Sequence, residues 1–393
     1  MLYNYLLYFF LAVCFGLFIA YLIERKQRRQ PYFKYPADQV AVNLQDLEKP
    51  LHSVALLGDP GSITDAENDP ILVLMRKWME QHGANGTLII LGDNIYPTGL
   101  PPKQGVKREQ AERKIMAQLN TFKLHAGKVI YLSGNHDWNK GRSNGYHYLV
   151  QQQDFITQQL NKQHSYLPLN GCPGPITFPL APGLRLVVIN TQWWVQRGLR
   201  PIGKTYNCSV DNEDQFFEEL QNILHQYQDE FIVLAAHHPL YSNAQHGGRS
   251  TVKQHVFPLT AAHKKLYVPL PVAGSIYPVY RKYFGAYEDM AHPRYRRLRR
   301  KLLKILHTHQ NIIYAAGHDH NLQYFKVKGN HYLVSGSGSK TAFVKKGGKA
   351  TFTHEHKGFF VVDYSPQEVW LRALEPPAVL APKAEVVFQH RLI

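Results

Sequence analysis

The run "VALLGD" at residues 54–59 opens a series of six short, nearly unbroken apolar stretches that each end in a polar cluster. The others are "TLIILGD", "KVIYLSGNHD", "LRLVVINTQ", "FIVLAAHHP" and "NIIYAAGHDH". Apolar runs without alternation predict strands covered on both faces, so the chain must supply layers on either side of its sheets. Between the runs lie segments with helical spacing, expected as helices over Pro70 to His82, Gly105 to Phe122, Tyr148 to Asn161 and Asn212 to Tyr227. Strand and helix in alternation predict an α/β fold. Three later runs, "HYLVSGSGS", "GFFVVDYS" and "VWLRALE", read as further strands in a hairpin or meander.

In α/β sheets, ligand sites gather beyond the carboxyl ends of the strands. Five strand ends carry metal-compatible side chains: Asp59 in "GDPG", Asp93 and Tyr96 in "GDNIY", Asn135 and His136 in "GNHDW", His237 in "AHHP", and His318 and His320 in "GHDH". Any one of these is a weak signal, because Gly-Asp turns and strand-end histidines are common. Together they fit one chemistry. Hard divalent or trivalent cations take carboxylate, amide oxygen and imidazole ligands at once, and a metal pair needs a carboxylate to bridge it, for which Asp93 is the natural choice. Two metals about 3.5–4 Å apart acidify a shared water and clamp a phosphoryl oxygen. A glycine before the polar residue lets the strand turn sharply. Residues two apart share a strand face, so His318 and His320 are expected to reach into one site.

These five clusters resemble those of the calcineurin-like metallophosphoesterases, over about Ser53 to Asp363. Within that superfamily they are most similar to the purple acid phosphatase branch. Asp59-Pro60-Gly61 stands where most members have Asp-x-His, and Tyr96 stands three residues after Asp93, where the purple enzymes place a phenolate ligand to ferric iron. The "GHDHNLQ" stretch, and His246 nine residues after His237, are similar to the small tartrate-resistant acid phosphatase type. The resemblance implies a four-layer α/β/β/α sandwich and two metal ions. Asp59, Tyr96 and His320 would hold Fe3+; Asn135, His237 and His318 would hold a divalent ion, Fe2+, Zn2+ or Mn2+; Asp93 would bridge them. His237 is favoured over His238, which lies between ligand and proline. His136 is expected to touch the substrate phosphate, Asp137 to orient His136, and His246 to protonate the leaving alkoxide.

The implied activity is acid-phosphatase-like hydrolysis of phosphomonoesters by a metal-bound hydroxide, without a covalent phosphoenzyme. A phosphodiester, nucleotide or lipid-pyrophosphate substrate is the alternative. A non-catalytic, membrane-tethered binding protein is a remote one, since it would require lost ligands and none of the expected positions is lost.

The remainder of the chain adds context. The first 23 residues carry no charged side chain, and Leu6 to Ile23 is long enough to span a bilayer as one helix. The basic flank "ERKQRRQ" follows it, with no basic start and no small-residue cleavage site, so a retained single-pass anchor is expected over residues 1–29. A linker is expected over 30–50 and the phosphoesterase domain over 51–393, with an insertion at about 247–292. The positive flank favours a cytoplasmic domain, whereas ferric chemistry and a possible Cys172 to Cys208 bridge favour the outside. The reading leans extracytoplasmic, although both cysteines sit in loops and are expected as unlinked thiols.

Lys and Arg number 45 against 29 Asp and Glu, a formal charge of +16 that favours anionic partners such as phosphate esters. No nucleic-acid-binding module is present, and no nucleic acid is expected as a partner. Prolines and aromatics in the insertion argue against a regular helix and suggest a lid or a membrane-dipping loop. After it, Tyr295, Leu298, Leu302 and Leu306 form the apolar stripe of a packed helix with a solvated basic face. His125, His164, His255 and His263 are expected at the surface, and "SGSGSK" from Ser335 to Lys340 is a weak candidate for a site-bordering loop.

Overall fold

The six apolar runs are strands of two sheets in the computed structural model, which describes residues 2–28, 30–162, 164–261, 263, 265–270, 273–377 and 385–393. Residues 262, 264, 271 and 272 of the expected insertion lie outside that description. In chain order the strands are β1 (Tyr32–Phe33), β2 (Gln39–Val42), β3 (His52–Leu57), β4 (Gly86–Ile90), β5 (Lys128–Tyr131), β6 (Ile176–Ala181), β7 (Leu184–Val188), β8 (Phe231–Ala235), β9 (Ile312–Ala316), β10 (Leu322–Val327), β11 (Asn330–Ser335), β12 (Ala350–His354), β13 (Phe359–Ser365), β14 (Glu368–Leu374) and β15 (Val386–Arg391). The helices are α1 (Leu2–Arg28), α2 (Pro70–His82), α3 (Arg108–Phe122), α4 (Gly145–Leu160), α5 (Gln192–Val195), α6 (Glu213–Gln226), α7 (Val252–Val256), α8 (Ile276–Tyr283) and α9 (Pro293–Leu306).

One sheet runs β1-β12-β10-β11-β9-β8-β7-β6 and the other β2-β15-β14-β13-β3-β4-β5. Within them β3, β4 and β5 are parallel neighbours, as are β7, β8 and β9. The uniform hydrophobicity of these strands now has its cause. In β3, Val54 and Leu56 face the other sheet while Ala55 and Leu57 face α2, α3 and α4. In β8, Val233 and Ala235 face the inter-sheet core while Ile232 and Leu234 face α5, α6 and α9. Apart from Lys128 at the start of β5, the side chains of these strands are buried, each large apolar one contributing about 1.5–3 kcal/mol. The three cores stack as the expected α/β/β/α layers.

Local signals set the helix ends. Asp69 caps α2, its carboxylate accepting from the Ile71 N–H at 2.9 Å, with Pro70 in the first turn. The basic helix α9 buries Tyr295, Leu298, Leu302 and Leu306, as its stripe predicts. By contrast α3 begins at Arg108, because a tight turn holds Gly105 to Arg108 before it, and α4 begins three residues early at Gly145. The strands β13 and β14 form the expected hairpin.

Four expectations are corrected. The segment 30–50 is no free linker: β1 pairs with β12 and β2 with β15, covering one edge of each sheet, and Leu44 is buried in the core. Cys172 and Cys208 are joined in a disulfide with Cα atoms 5.5 Å apart, because their two loops lie side by side, with Asn170 donating to the Tyr206 carbonyl. The proline-aromatic segment contains a two-turn helix, α8, tolerated because Pro278 stands in its first turn, where no intrahelical N–H is needed. His125 is buried beside Trp78, bonded to the Gly86 carbonyl at 3.1 Å, whereas His164 and His263 are exposed.

Candidate metal centre

The carboxyl ends of β3, β4 and β5 in one sheet meet those of β8 and β9 in the other. Asp59 follows β3, Asp93 and Tyr96 follow β4, Asn135 and His136 follow β5, His237 follows β8, and His318 and His320 follow β9. Asp59, Asp93 and His318 adopt φ of 60°, 56° and 72°. Left-handed backbone at non-glycine residues costs of order 1 kcal/mol each and persists only where the surroundings enforce it. Here it turns each side chain back over its strand end. The approach is close enough to require glycine nearby. A Cβ on Gly134 would stand 2.3 Å from Asp93 Oδ1, and one on Gly317 would stand 2.5 Å from Asp59 Oδ2.

One group of ligand-type atoms comprises Asn135, His237 and His318. His237 Nδ1 donates to the Leu91 carbonyl at 2.8 Å, and His318 Nε2 donates to the Glu288 carbonyl at 2.8 Å. Each ring is thereby fixed in the tautomer that leaves its other nitrogen as a lone pair. Those lone pairs face each other, His237 Nε2 lying 3.2 Å from His318 Nδ1, and both face Asn135 Oδ1 at 3.0 and 3.1 Å. Three acceptors turned toward one another repel, and a cation between them removes the repulsion. The donor set therefore fits a metal ion. His238 also lies nearby, but its Nδ1 is engaged with Thr191 Oγ1 at 2.9 Å, and His237, not His238, reaches Asn135.

The second group centres on the Tyr96 hydroxyl, which lies 2.8 Å from Asp59 Oδ1, 3.2 Å from Asp93 Oδ2 and 2.9 Å from His320 Nε2. Two carboxylates, an imidazole and a phenol converging on one point are a donor set that also fits a cation. Burial and the two carboxylates push the Tyr96 phenol well above its ordinary value. Burial, then the Asp93 charge, drives Asp59 well above the usual carboxylate range. Asp93 is held at about 2: burial raises it, but His136 beside it, by its ring and by its backbone N–H at 2.9 Å, outweighs that. Burial presses His318 well below its ordinary value and His320 to about 3, so both imidazoles are neutral, the form that ligates. Asp93 stands between the groups, Oδ1 3.5 Å from His237 Nε2 and Oδ2 beside Tyr96.

His136 lies over the pair, its Nδ1 donating to the Pro97 carbonyl at 2.6 Å and its Nε2 3.7 Å from Asp93 Oδ2. Asp137 does not orient it. The buried Asp137 carboxylate instead accepts from the backbone N–H groups of Asp93, Asn94 and Gly134 at 2.9, 3.0 and 2.7 Å, and from the side chains of Asn94 and Gln152 at 3.0 and 2.8 Å. It staples the β4 and β5 ends together.

The insertion supplies residues that the motifs did not indicate. His246 stacks on His318 with ring centroids 4.0 Å apart, and its Nδ1 meets Asp289 Oδ1 at 2.9 Å. Asp289 is fully buried and also accepts from the Arg281 guanidinium and the Ala286 N–H. Burial lowers the His246 imidazole, but Asp289 and Asp319 outweigh it and the net shift is upward. Asn135 Nδ2 donates to Glu288 Oε1 at 3.0 Å, so Glu288 brackets the histidine-rich group. On the other side, Ser339 Oγ donates to the Asp59 carbonyl at 2.6 Å and the Lys340 ammonium lies 3.4 Å from the Tyr96 ring centroid. The "SGSGSK" stretch thus borders the site. Nothing in sequence spacing ties Glu288, Asp289 or Arg281 to the five clusters.

A family model described as calcineurin-like phosphoesterase matches residues 52–357. No curated protein matches the chain. Among solved structures it is similar to that of PhoD, with a TM-score of 0.52 at 13% identity over 90% of this chain and 71% of that one. It is also similar to GAP50, the anchor in the inner membrane complex of Plasmodium, with a TM-score of 0.45 at 15% identity over 86% and 90% of the two chains. At this identity the PhoD likeness is one of fold.

Proposed function

The chain belongs to the calcineurin-like phosphoesterase family, and from that premise we propose that it is a membrane-anchored phosphatase of the purple acid phosphatase branch that hydrolyses phosphomonoesters. Members of the family hold a dinuclear metal site, for which this chain has candidate ligand groups. The observation that supports the finer reading is the Tyr96 hydroxyl within hydrogen-bond distance of Asp59, Asp93 and His320, where a phenolate could share an iron with them. In this reading Asp59, Tyr96 and His320 would hold Fe3+, Asn135, His237 and His318 would hold a divalent ion, and Asp93 would serve both. The metal pair supplies an acidified water and a clamp for a phosphoryl oxygen.

The chain's own residues do the rest. His136 Nε2 faces the space over Asp93 and binds a phosphate oxygen, with Nδ1 fixed by the Pro97 carbonyl. His246 gives its proton to the departing alkoxide, and Asp289 keeps the imidazole protonated and oriented for that transfer. Lys340 adds positive charge at the rim. The N-terminal helix, long and apolar enough to cross a membrane, is the anchor. The disulfide supports an extracytoplasmic domain, since such bonds persist in oxidising compartments.

A second reading, a lipid phosphoester or pyrophosphate substrate, is favoured by one observation: the apolar insertion itself delivers Glu288 and Asp289 to the centre. The tests are separable. Iron-loaded protein is expected to show a visible tyrosinate-to-iron band that Tyr96→Phe abolishes; a band unchanged in that variant removes Tyr96 from the metal. Phosphate release from a soluble monoester, lost in Asn135→Ala, is expected; turnover confined to micellar lipid phosphates favours the second reading.

A further inference from the structure

We propose that the insertion is a membrane-resting ledge, with residues 257–261, 265–270 and 273–287 lying against the headgroups and acyl chains of an anionic bilayer beside α1. This rests on the reading of α1 as a bilayer helix. Three observations lead there.

The first is continuity with α1. The helix end is fastened to the domain, Arg28 by a guanidinium–carboxylate pair with Glu355 and Glu24 by accepting the Val252 N–H at 3.0 Å. From there the insertion follows α1 back along its length. Phe10, Cys14 and Phe18 of the helix and Val256, Phe257 and Tyr267 of the insertion line one shared apolar cavity of about 410 Å³. From Phe10 to Glu24 is 14 residues, or about 21 Å of helix. A bilayer that takes up α1, with a hydrocarbon core about 30 Å thick, therefore meets the insertion too, from its boundary beside Glu24 inward along the helix.

The second is the surface presented. Ile276, Tyr283 and Phe284 are 71%, 58% and 64% exposed, and Tyr267, Val268 and Tyr277 are exposed with them. Soluble surfaces rarely gather such a patch without a partner. Tyrosines with aliphatic neighbours suit the membrane–water boundary, where one end of the ring is apolar and the other wet. The backbone is largely bonded within the segment, for example Leu270 N to Val256 O and Gly274 N to Leu270 O, which lowers the cost of leaving water.

The third is charge. Residues 247–287 contain six Lys or Arg and no Asp or Glu, and with Arg281 turned inward onto Asp289 five remain to face a surface. Basic side chains beside an apolar face favour anionic headgroups, each worth about 1 kcal/mol near such a surface. The next two residues, Glu288 and Asp289, are those that contact Asn135 and His246. The ledge therefore sets the mouth of the metal centre at the level of the lipid headgroups.

The test uses the full chain with Cys14→Ser, carrying an environment-sensitive fluorophore on Tyr277→Cys or Tyr283→Cys. Phe15→Cys reports on α1, and Leu124→Cys, at the opposite end of the strands, is the aqueous control. Circular dichroism establishes that each labelled variant is folded. In vesicles of three parts phosphatidylcholine to one of phosphatidylglycerol, blue-shifted emission and at least about threefold stronger quenching by doxyl lipids than at Leu124 are expected at both ledge positions. Ledge labels that match Leu124 while Phe15 is quenched overturn the ledge and leave the anchor standing. If Phe15 also matches Leu124, the anchor reading falls as well. Equal quenching in phosphatidylcholine alone overturns the assignment to an anionic surface. Protection that grows with the protein-to-lipid ratio gives the face to a second copy and overturns the proposal.

Discussion

Asp137→Asn changes one buried atom and should loosen the whole metal centre. The carboxylate receives five N–H donors, three of them backbone groups of Asp93, Asn94 and Gly134. An asparagine oxygen in the Oδ2 place keeps Asp93, Gly134 and the Asn94 side chain. Its NH2 then faces the Asn94 N–H and Gln152 Nε2, donor against donor. Gln152 can rotate its amide and present Oε1, which has no partner, but the Asn94 backbone cannot move away. One orphaned buried N–H costs about 1–3 kcal/mol, and the surviving bonds lose their charge assistance. We expect about 3 kcal/mol of destabilisation in urea melts of the detergent-solubilised apoprotein. Because the stapled loops carry Asp93 and Asn135, metal affinity by titration calorimetry should fall about 10- to 100-fold, as for other outer-shell partners. A variant within about 0.5 kcal/mol of wild type, with unchanged affinity, would refute the stapling argument.

Gly134→Ala drives a Cβ into Asp93 and His237, so metal binding should be lost while the far-UV circular dichroism is kept. Asp289→Asn weakens the hold on protonated His246; turnover of alkyl phosphates should fall about 100-fold, while aryl phosphates, with good leaving groups, change little. Reducing the Cys172 to Cys208 bridge, which spans 36 residues, should cost about 4 kcal/mol in urea melts, read against Cys172→Ser. Glu375 holds His356 above its ordinary 6.5 and is itself held below 4.5 despite burial, by His354 and His356. The Glu375 contribution is present above 4.5 and lost as pH falls, whereas the His356 one is present below 6.5 and lost as pH rises past it. His356→Gln should therefore destabilise most near pH 5–6 and least above pH 8. With His356 42% exposed, the effect should stay below about 1 kcal/mol.

The parts of the fold that were legible in sequence are those governed by local rules. The twice-covered strands announce themselves because both faces must be apolar, and α2 is bounded by Asp69 and Pro70 at one end and Gly83 at the other. The edge strands β1 and β2 carry no such pattern. They are short and half-buried, and they form because β12 and β15 offer unpaired edges hundreds of residues away. His125 read as a surface residue because its burial comes from Trp78 and Gly86, which sequence distance hides.

The same division runs through the metal centre. Residues that lie one step beyond a strand end are positioned by the strand, so the five clusters follow from spacing, whereas His318 and His320 lie past the end of β9, with a left-handed turn at His318, and are not aligned by strand alternation. The role of Asp137 did not follow from spacing, because it bonds to backbone groups, and backbone leaves no mark on side-chain identity. Glu288, Asp289 and Arg281 were invisible for a further reason. They lie on a segment outside the strand rhythm, Arg281 on α8 and Glu288 and Asp289 just beyond it, and reach the site only through tertiary packing. A chain that brings its proton donor's partner from an apolar insertion links two requirements in one segment: Asp289 is correctly placed only when the insertion is, so what the insertion rests on also governs how firmly His246 is held.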